Sequence, residues 1–85
     1  MNPKMTTNYY KTLEAIYDNQ LQVGELKYCP LGQDELATIV QCNRMTVNSA
    51  LKRLKSEGYV SSLKNKQYAL TEKGIDTVEK AKEID

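Results

Sequence analysis

Gly32-Gln-Asp-Glu-Leu-Ala-Thr-Ile-Val-Gln-Cys-Asn-Arg-Met-Thr-Val-Asn-Ser-Ala-Leu-Lys-Arg-Leu-Lys-Ser-Glu-Gly-Tyr-Val60 reads as two short helices joined by a tight turn, the second closing at a glycine and running into a strand. Gly32 can open the first helix as its N-cap, with Glu35 at the third helical position. Leu36, Ala37, Ile39 and Val40 then supply its buried side. Gln41, Cys42 and Asn43 make the turn. Asn43 is a favoured N-cap, and beyond it Val47, Ala50, Leu51 and Leu54 recur at intervals of three and four, drawing a narrow apolar stripe. Arg44, Thr46, Asn48, Ser49, Lys52, Arg53 and Lys55 occupy the remaining surface. Ala50 is small where the two helices must cross, which permits the close approach of a helix-turn-helix.

Working outward, Thr6 or Thr7 can cap an earlier helix over about residues 7–20. Tyr9, Tyr10, Leu13, Ile16, Tyr17 and, at its end, Leu21 fall at helical spacing on one side. Gly24 is expected to end it, and Leu26 to Cys29 can form a short strand paired with a later hairpin. Gly58 suits the left-handed residue after the helix that ends near residue 57. Tyr59 to Leu63 and Tyr68 to Leu70 follow as two strands over about residues 59–70, joined by Lys64, Asn65 and Lys66. Thr71 can cap a last helix over about 72–84, with Ile75, Val78, Ala81 and Ile84 on one side and Gly74 weakening its first turn. The expected architecture is a single α+β domain, mostly helical. It is a winged helix-turn-helix with three core helices (the pair spanning about 33–57), a β-hairpin wing and a C-terminal helix.

Charge supports a nucleic-acid partner. The 85 residues sum to only +1, but residues 40–70 hold Arg44, Lys52, Arg53, Lys55, Lys64 and Lys66 against Glu57 alone. The flanking segments each carry a net charge of −2, from three lysines against five acids on either side. Cations gathered in one segment are the footprint expected for a phosphate backbone, because each neutralised phosphate releases condensed counterions. A solvated helix face would carry the same charges, so the pattern gains its weight from the residues beside it. Arg44 can fork onto O6 and N7 of guanine, Asn48 onto N6 and N7 of adenine, and Thr46 can meet a phosphate or a thymine methyl. Lys52, Arg53 and Lys55, farther along, are assigned to phosphates, and Lys64 and Lys66 at the wing tip to neighbouring backbone or minor groove.

The segment Asn43-Arg-Met-Thr-Val-Asn-Ser-Ala-Leu-Lys-Arg-Leu-Lys-Ser-Glu-Gly-Tyr-Val60 resembles the recognition helix and following strand of GntR-type winged-helix regulators. Tyr68-Ala-Leu-Thr-Glu-Lys-Gly74 is similar to the second wing strand and next helix of MarR-like and PadR-like regulators. Together the resemblance covers about 40 residues, Gly32 to Gly74, and implies that Asn43, Arg44, Thr46 and Asn48 stand where such regulators touch DNA. The larger effector domain of GntR regulators has no counterpart in this sequence, so no small-molecule effector is expected.

Other chemistries find little footing. There is no histidine to act as a general base, no phosphate-binding glycine loop and no metal-ligand cluster, so neither catalysis nor a cofactor is expected. Cys29 and Cys42 lack the close spacing of zinc or redox pairs and are expected as reduced, partly buried thiols. With no Phe or Trp, Tyr9, Tyr10, Tyr17, Tyr59 and Tyr68 must supply core bulk rather than stack on bases. No apolar run approaches the ~20 residues of a membrane span, so a cytoplasmic protein is expected.

The function expected is that of a sequence-specific regulator of double-stranded DNA, a repressor acting by occlusion. One small domain makes few base contacts, so a homodimer on a two-fold site is expected. Helix 1 with Met1 and Met5, or the last helix through Ile75, Val78 and Ile84, would be its contact surface. The alternatives are a winged-helix module that binds another protein, and a replication or partition accessory factor of a phage or plasmid.

Overall fold

A computed structural model describes residues 7–64 and 67–84, with the backbone alone at position 84. Eight elements follow in order: α1 (Asn8–Asp18), β1 (Leu21–Val23), β2 (Leu26–Tyr28), α2 (Gln33–Val40), α3 (Arg44–Ser56), β3 (Val60–Ser62), β4 (Tyr68–Leu70) and α4 (Glu72–Ile84). The first three helices pack on one another, β3 and β4 form the hairpin wing, and α4 closes over α1: a winged helix-turn-helix in an α+β fold. Thr6, the wing-tip residues Asn65 and Lys66, and the expected contact residues Met1 and Met5 lie outside the described residues, as does the side chain of Ile84.

Each helix starts where a side chain can satisfy the free N–H groups of its first turn. Thr7 accepts from the Tyr10 N–H at 3.1 Å, Asn43 from the Thr46 N–H at 2.8 Å, and Thr71 from the Gly74 N–H at 3.1 Å. Gly32 has no side chain to offer α2, and there the Glu35 carboxylate reaches back to the Gly32 N–H at 3.1 Å. The core is the sum of the inward stripes. Leu13 and Ile16 of α1, Leu36 of α2, Val47 and Leu54 of α3, and Val78 of α4 are each no more than 1% exposed. Tyr10 is buried with them, while Tyr9, Tyr17, Tyr59 and Tyr68 pack half-buried around the rim, the bulk-filling part expected of them.

Three expectations need correction. Helix α1 does not run on to Gly24: the Asn19 N–H and side-chain amide both bond the Ala15 carbonyl and end it at Asp18. Leu21 therefore opens a strand and is 52% exposed rather than core. Strand β2 pairs with this β1, not with the wing, in the register Leu21↔Tyr28, Gln22↔Lys27 and Val23↔Leu26. Closing a two-residue turn costs far less chain entropy than reaching a strand forty residues away. The backbone link to the wing comes one residue later, where the Cys29 N–H meets the Tyr68 carbonyl at 2.7 Å. Finally, Ile39 is 47% exposed. Leu36, Ala37 and Val40 already define the inward side of the two-turn α2, and a residue three after Leu36 falls off its edge.

Two glycines answer different geometric needs. Gly58, at φ +84°, turns the chain from α3 into β3 as expected. Gly74 is required by proximity: a Cβ there would stand 2.2 Å from the Tyr59 carbonyl oxygen. This lets the first turn of α4 lie directly on the segment leaving α3, where Thr71 donates to the Gly58 carbonyl at 2.6 Å.

Candidate nucleic-acid interface

Helix α3 buries Val47, Ala50, Leu51 and Leu54 and turns the rest of its surface outward. Arg44, Asn48 and Lys52 fall four residues apart and so form one row, with Lys55 continuing it at the next turn. Met45 and Ser49 stand beside that row, on the side farthest from the buried stripe. Met45 is 79% exposed, the largest exposure among the big apolar side chains described. Sequence reasoning passed over it although its position outside the stripe was readable. An apolar side chain on the outermost line of a helix is suited to a thymine methyl or another apolar ligand surface.

The polar side chains at the start of α3 are already engaged with one another. Asn43 Oδ1 accepts from both the N–H and the hydroxyl of Thr46, at 2.8 and 2.9 Å, so the Asn43 carbonyl oxygen and the Thr46 hydroxyl proton are spent on the helix cap. Arg44 Nε donates to Gln33 Oε1 at 3.4 Å and lies 3.6 Å from Asp34 Oδ1. Gln33 Nε2 in turn donates to Asn48 Oδ1 at 3.2 Å. Neither Gln33 nor Asp34 was singled out from sequence, because their link to α3 depends on how α2 crosses it. The Arg44–Asp34 pair is exposed on both sides and contributes no more than about 1 kcal/mol to stability. Its importance is that it directs the guanidinium.

Between this end of α3 and the wing lies an open cleft of about 550 Å³, lined by Gly32, Gln33, Asp34, Arg44, Ser62 and Leu63 among others. Lys64 is exposed at the near end of the wing turn, and the hairpin is closed by the Leu63 N–H bonding the Gln67 carbonyl at 2.8 Å. Lys66, expected beside it, lies outside the described residues.

Arg53 belongs to a different neighbourhood. Its guanidinium stands 4.6 Å from the centre of the Tyr9 ring, and its Nε donates to Glu57 at 3.4 Å. The Tyr9 hydroxyl donates to the same Glu57 carboxylate. Burial, reinforced by that hydrogen bond to a carboxylate, pushes the Tyr9 phenol well above its ordinary range. The Tyr9 hydrogen bond, with Arg53 beside it, holds Glu57 below the usual carboxylate value. Lys73 completes the cluster, donating to the Glu57 carbonyl at 2.8 Å with its ammonium 4.4 Å from the centre of the Tyr59 ring. The C-terminal end of α3 is thereby tied to α1 and α4, with Arg53 a part of the tie rather than of the outward row.

Helix α4 is also committed within the fold. Val78 is fully buried, Tyr17 donates to Glu79 at 3.1 Å, and Lys82 pairs with Asp18 at 3.1 Å. Val78 therefore does not belong to the exposed contact surface expected of it. The described apolar side chains left in solvent are instead Ile39, Met45 and a cluster on the β1–β2 hairpin. There Leu21 (52%), Val23 (62%) and Leu26 (50%) share one face by their register. Among the described residues no helix is long and apolar enough to cross a membrane.

The chain matches no family model and no curated protein by sequence. Among solved structures it is similar to the reduced, Fe(II) form of the CO-sensing protein from R. rubrum, with a TM-score of 0.76 at 19% identity. The match covers 91% of this chain and 36% of that one, so the present chain spans about a third of that protein's length. The likeness is one of fold.

Proposed function

We propose that this winged helix-turn-helix is a sequence-specific regulator of double-stranded DNA, which lays α3 in the major groove with the wing against the flanking backbone. One observation carries the reading: α3 sets the exposed Arg44 and Lys52 and the half-buried Asn48 in a single row, with Arg44 at the edge of an open cleft that the wing borders. Arg44 and Asn48 bring base-edge chemistry, while Lys52, Lys55 and Lys64 bring charge for phosphates. Met45 adds an apolar contact. Of the residues expected to touch DNA, Asn43 and Thr46 contribute mainly by capping, and Arg53 mainly by fixing the far end of the helix. Ser49 stands exposed on the DNA side.

On this reading the protein works in the cytoplasm as a homodimer that represses by occluding its site, with no reaction catalysed and no cofactor or effector assigned. Two copies are invoked because a single module reads too few base pairs for useful specificity. The experiment is selection from a random duplex library at near-physiological salt, with Arg44→Ala alongside. Enrichment of a two-fold-symmetric motif that the substitution relaxes at one base pair supports the reading. A chain that enriches nothing refutes it. Arg44→Ala is expected to cost about 1–3 kcal/mol on the selected site, whereas Lys52→Ala weakens all sequences alike.

A second reading rests on the apolar face of the β1–β2 hairpin, which the DNA-binding proposal leaves unused. In it the domain docks on another protein through Leu21, Val23 and Leu26. Normal DNA selection by a Leu21→Ser/Val23→Ser variant that loses a protein partner would favour this role as an addition. Partner binding without any DNA selection would make it the main one.

A further inference from the structure

We propose that Gln33, the first residue of α2, is a specificity-determining positioning residue that joins Arg44 and Asn48 into one reading unit. The inference rests on the DNA-reading function proposed above. The exposed Arg44 and the half-buried Asn48 lie one helical turn apart on α3, and without a partner each side chain would have more rotamer freedom to lose on binding. The single amide of Gln33 spans them, its oxygen accepting from Arg44 Nε at 3.4 Å and its nitrogen donating to Asn48 Oδ1 at 3.2 Å. Asp34, one residue on, places a carboxylate oxygen 3.6 Å from the same Nε.

This arrangement determines what each reader can offer. With Nε turned toward α2, Arg44 presents its two terminal nitrogens, the end-on fork that matches O6 and N7 of guanine. With Oδ1 turned toward Gln33, Asn48 presents its NH2 group outward, which favours an acceptor on the base edge: N7 of a purine, O6 of guanine or O4 of thymine. Fixing both side chains before binding removes ordering entropy that would otherwise oppose the complex. Gln33 is half-buried and lies outside the hydrophobic core, so its contribution is separable from folding.

The test compares library selections by the wild-type chain, Gln33→Leu and Gln33→Glu, with Arg44→Ala and Asn48→Ala marking the base pair that each reader controls. Gln33→Leu keeps the bulk and loses both hydrogen bonds. It is expected to flatten preference at both marked positions by about tenfold, the scale of one good base contact. Thermal midpoint and the salt slope of binding should stay unchanged, since neither core packing nor phosphate contacts are touched. Gln33→Glu keeps the acceptor for Arg44 but presents oxygen instead of a donor to Asn48, whose amide must turn over. Preference at the Arg44 position should then persist, while that at the Asn48 position should move toward bases with an exposed amino group, adenine or cytosine. Wild-type preference at both positions in Gln33→Leu overturns the inference alone, as does a uniform loss of affinity with preferences intact. The absence of any motif with the wild-type chain overturns it together with the function on which it rests.

Discussion

Gly74→Ala should destabilise this protein, although the same change in an open helix would stabilise it. Helix propensity favours alanine over glycine by about 1 kcal/mol in a helix interior. At position 74 the new Cβ would stand 2.2 Å from the Tyr59 carbonyl oxygen and 3.1 Å from Leu70 Cδ2. Since real Cβ contacts do not fall below 3.0 Å, the first turn of α4 must retreat by about 0.8 Å from a backbone atom that cannot rotate aside. Overpacking of this kind costs about 1–3 kcal/mol. The retreat also strains the hydrogen bonds from Thr71 to Gly58 (2.6 Å) and to Tyr59 (3.1 Å), each worth about 1 kcal/mol. Set against the propensity gain, the net loss is about 2 kcal/mol, or a fall of roughly 8–16 °C in midpoint for a domain of this size. Urea unfolding followed by far-UV circular dichroism measures it, with an unchanged m-value showing that the two-state comparison holds. A midpoint equal to or above wild type would refute the close approach of α4 to Tyr59, and with it the way in which the end of α3 is held.

Gln41 closes α2 at φ +65°, a left-handed conformation in a residue with a Cβ, so Gln41→Gly should stabilise by about 1 kcal/mol in the same urea assay. Val78→Ala, at a fully buried position, should cost roughly 1–3 kcal/mol by leaving a cavity between α4 and the core; a change near zero would mean that α4 is not docked. Stability should be flat across neutral pH and fall at both ends. Glu57, held below its ordinary 4.5, contributes stability that is present above that value and lost as acid protonates it in the folded state. Tyr9 and Tyr17, raised above 10.0, and Lys82, raised above 10.5, contribute stability present below those values and lost as pH rises through their folded ones. Thermal midpoints measured across pH should show Glu57→Gln flattening the acid limb; an unaltered acid limb would deny the Tyr9–Glu57 contact its role.

The helix-turn-helix was legible because its signals are local. Asn43 caps α3, the Val47–Leu54 stripe buries as its spacing requires, and Gly58 leaves α3 with positive φ. The β1–β2 hairpin was half missed for a physical reason. Strands of three residues carry one alternation each, and Leu21 four residues after Tyr17 is indistinguishable from another helical turn. In the site, the chemistry of Arg44, Asn48 and Lys52 was readable, but the partners of those side chains were not. Gln33 meets Arg44 across a helix crossing, and Arg53 meets Tyr9 from 44 positions farther along the chain. Spacing within α3 contains neither fact. Met45 could have been found by asking which large apolar residue the stripe excludes.

The bridge between Cys29 and Tyr68 has a practical consequence. Cys29 is wholly buried at the seam where the chain leaving β2 meets the wing, its thiol pushed up by burial, while Cys42 is only half-buried. A thiolate-seeking reagent should therefore label Cys42 from the folded state and Cys29 only when the seam opens. With two cysteines in the sequence, the second, slower labelling step becomes a native clock for wing detachment. If DNA clasps the wing, that clock should run slower in the complex than in the free protein.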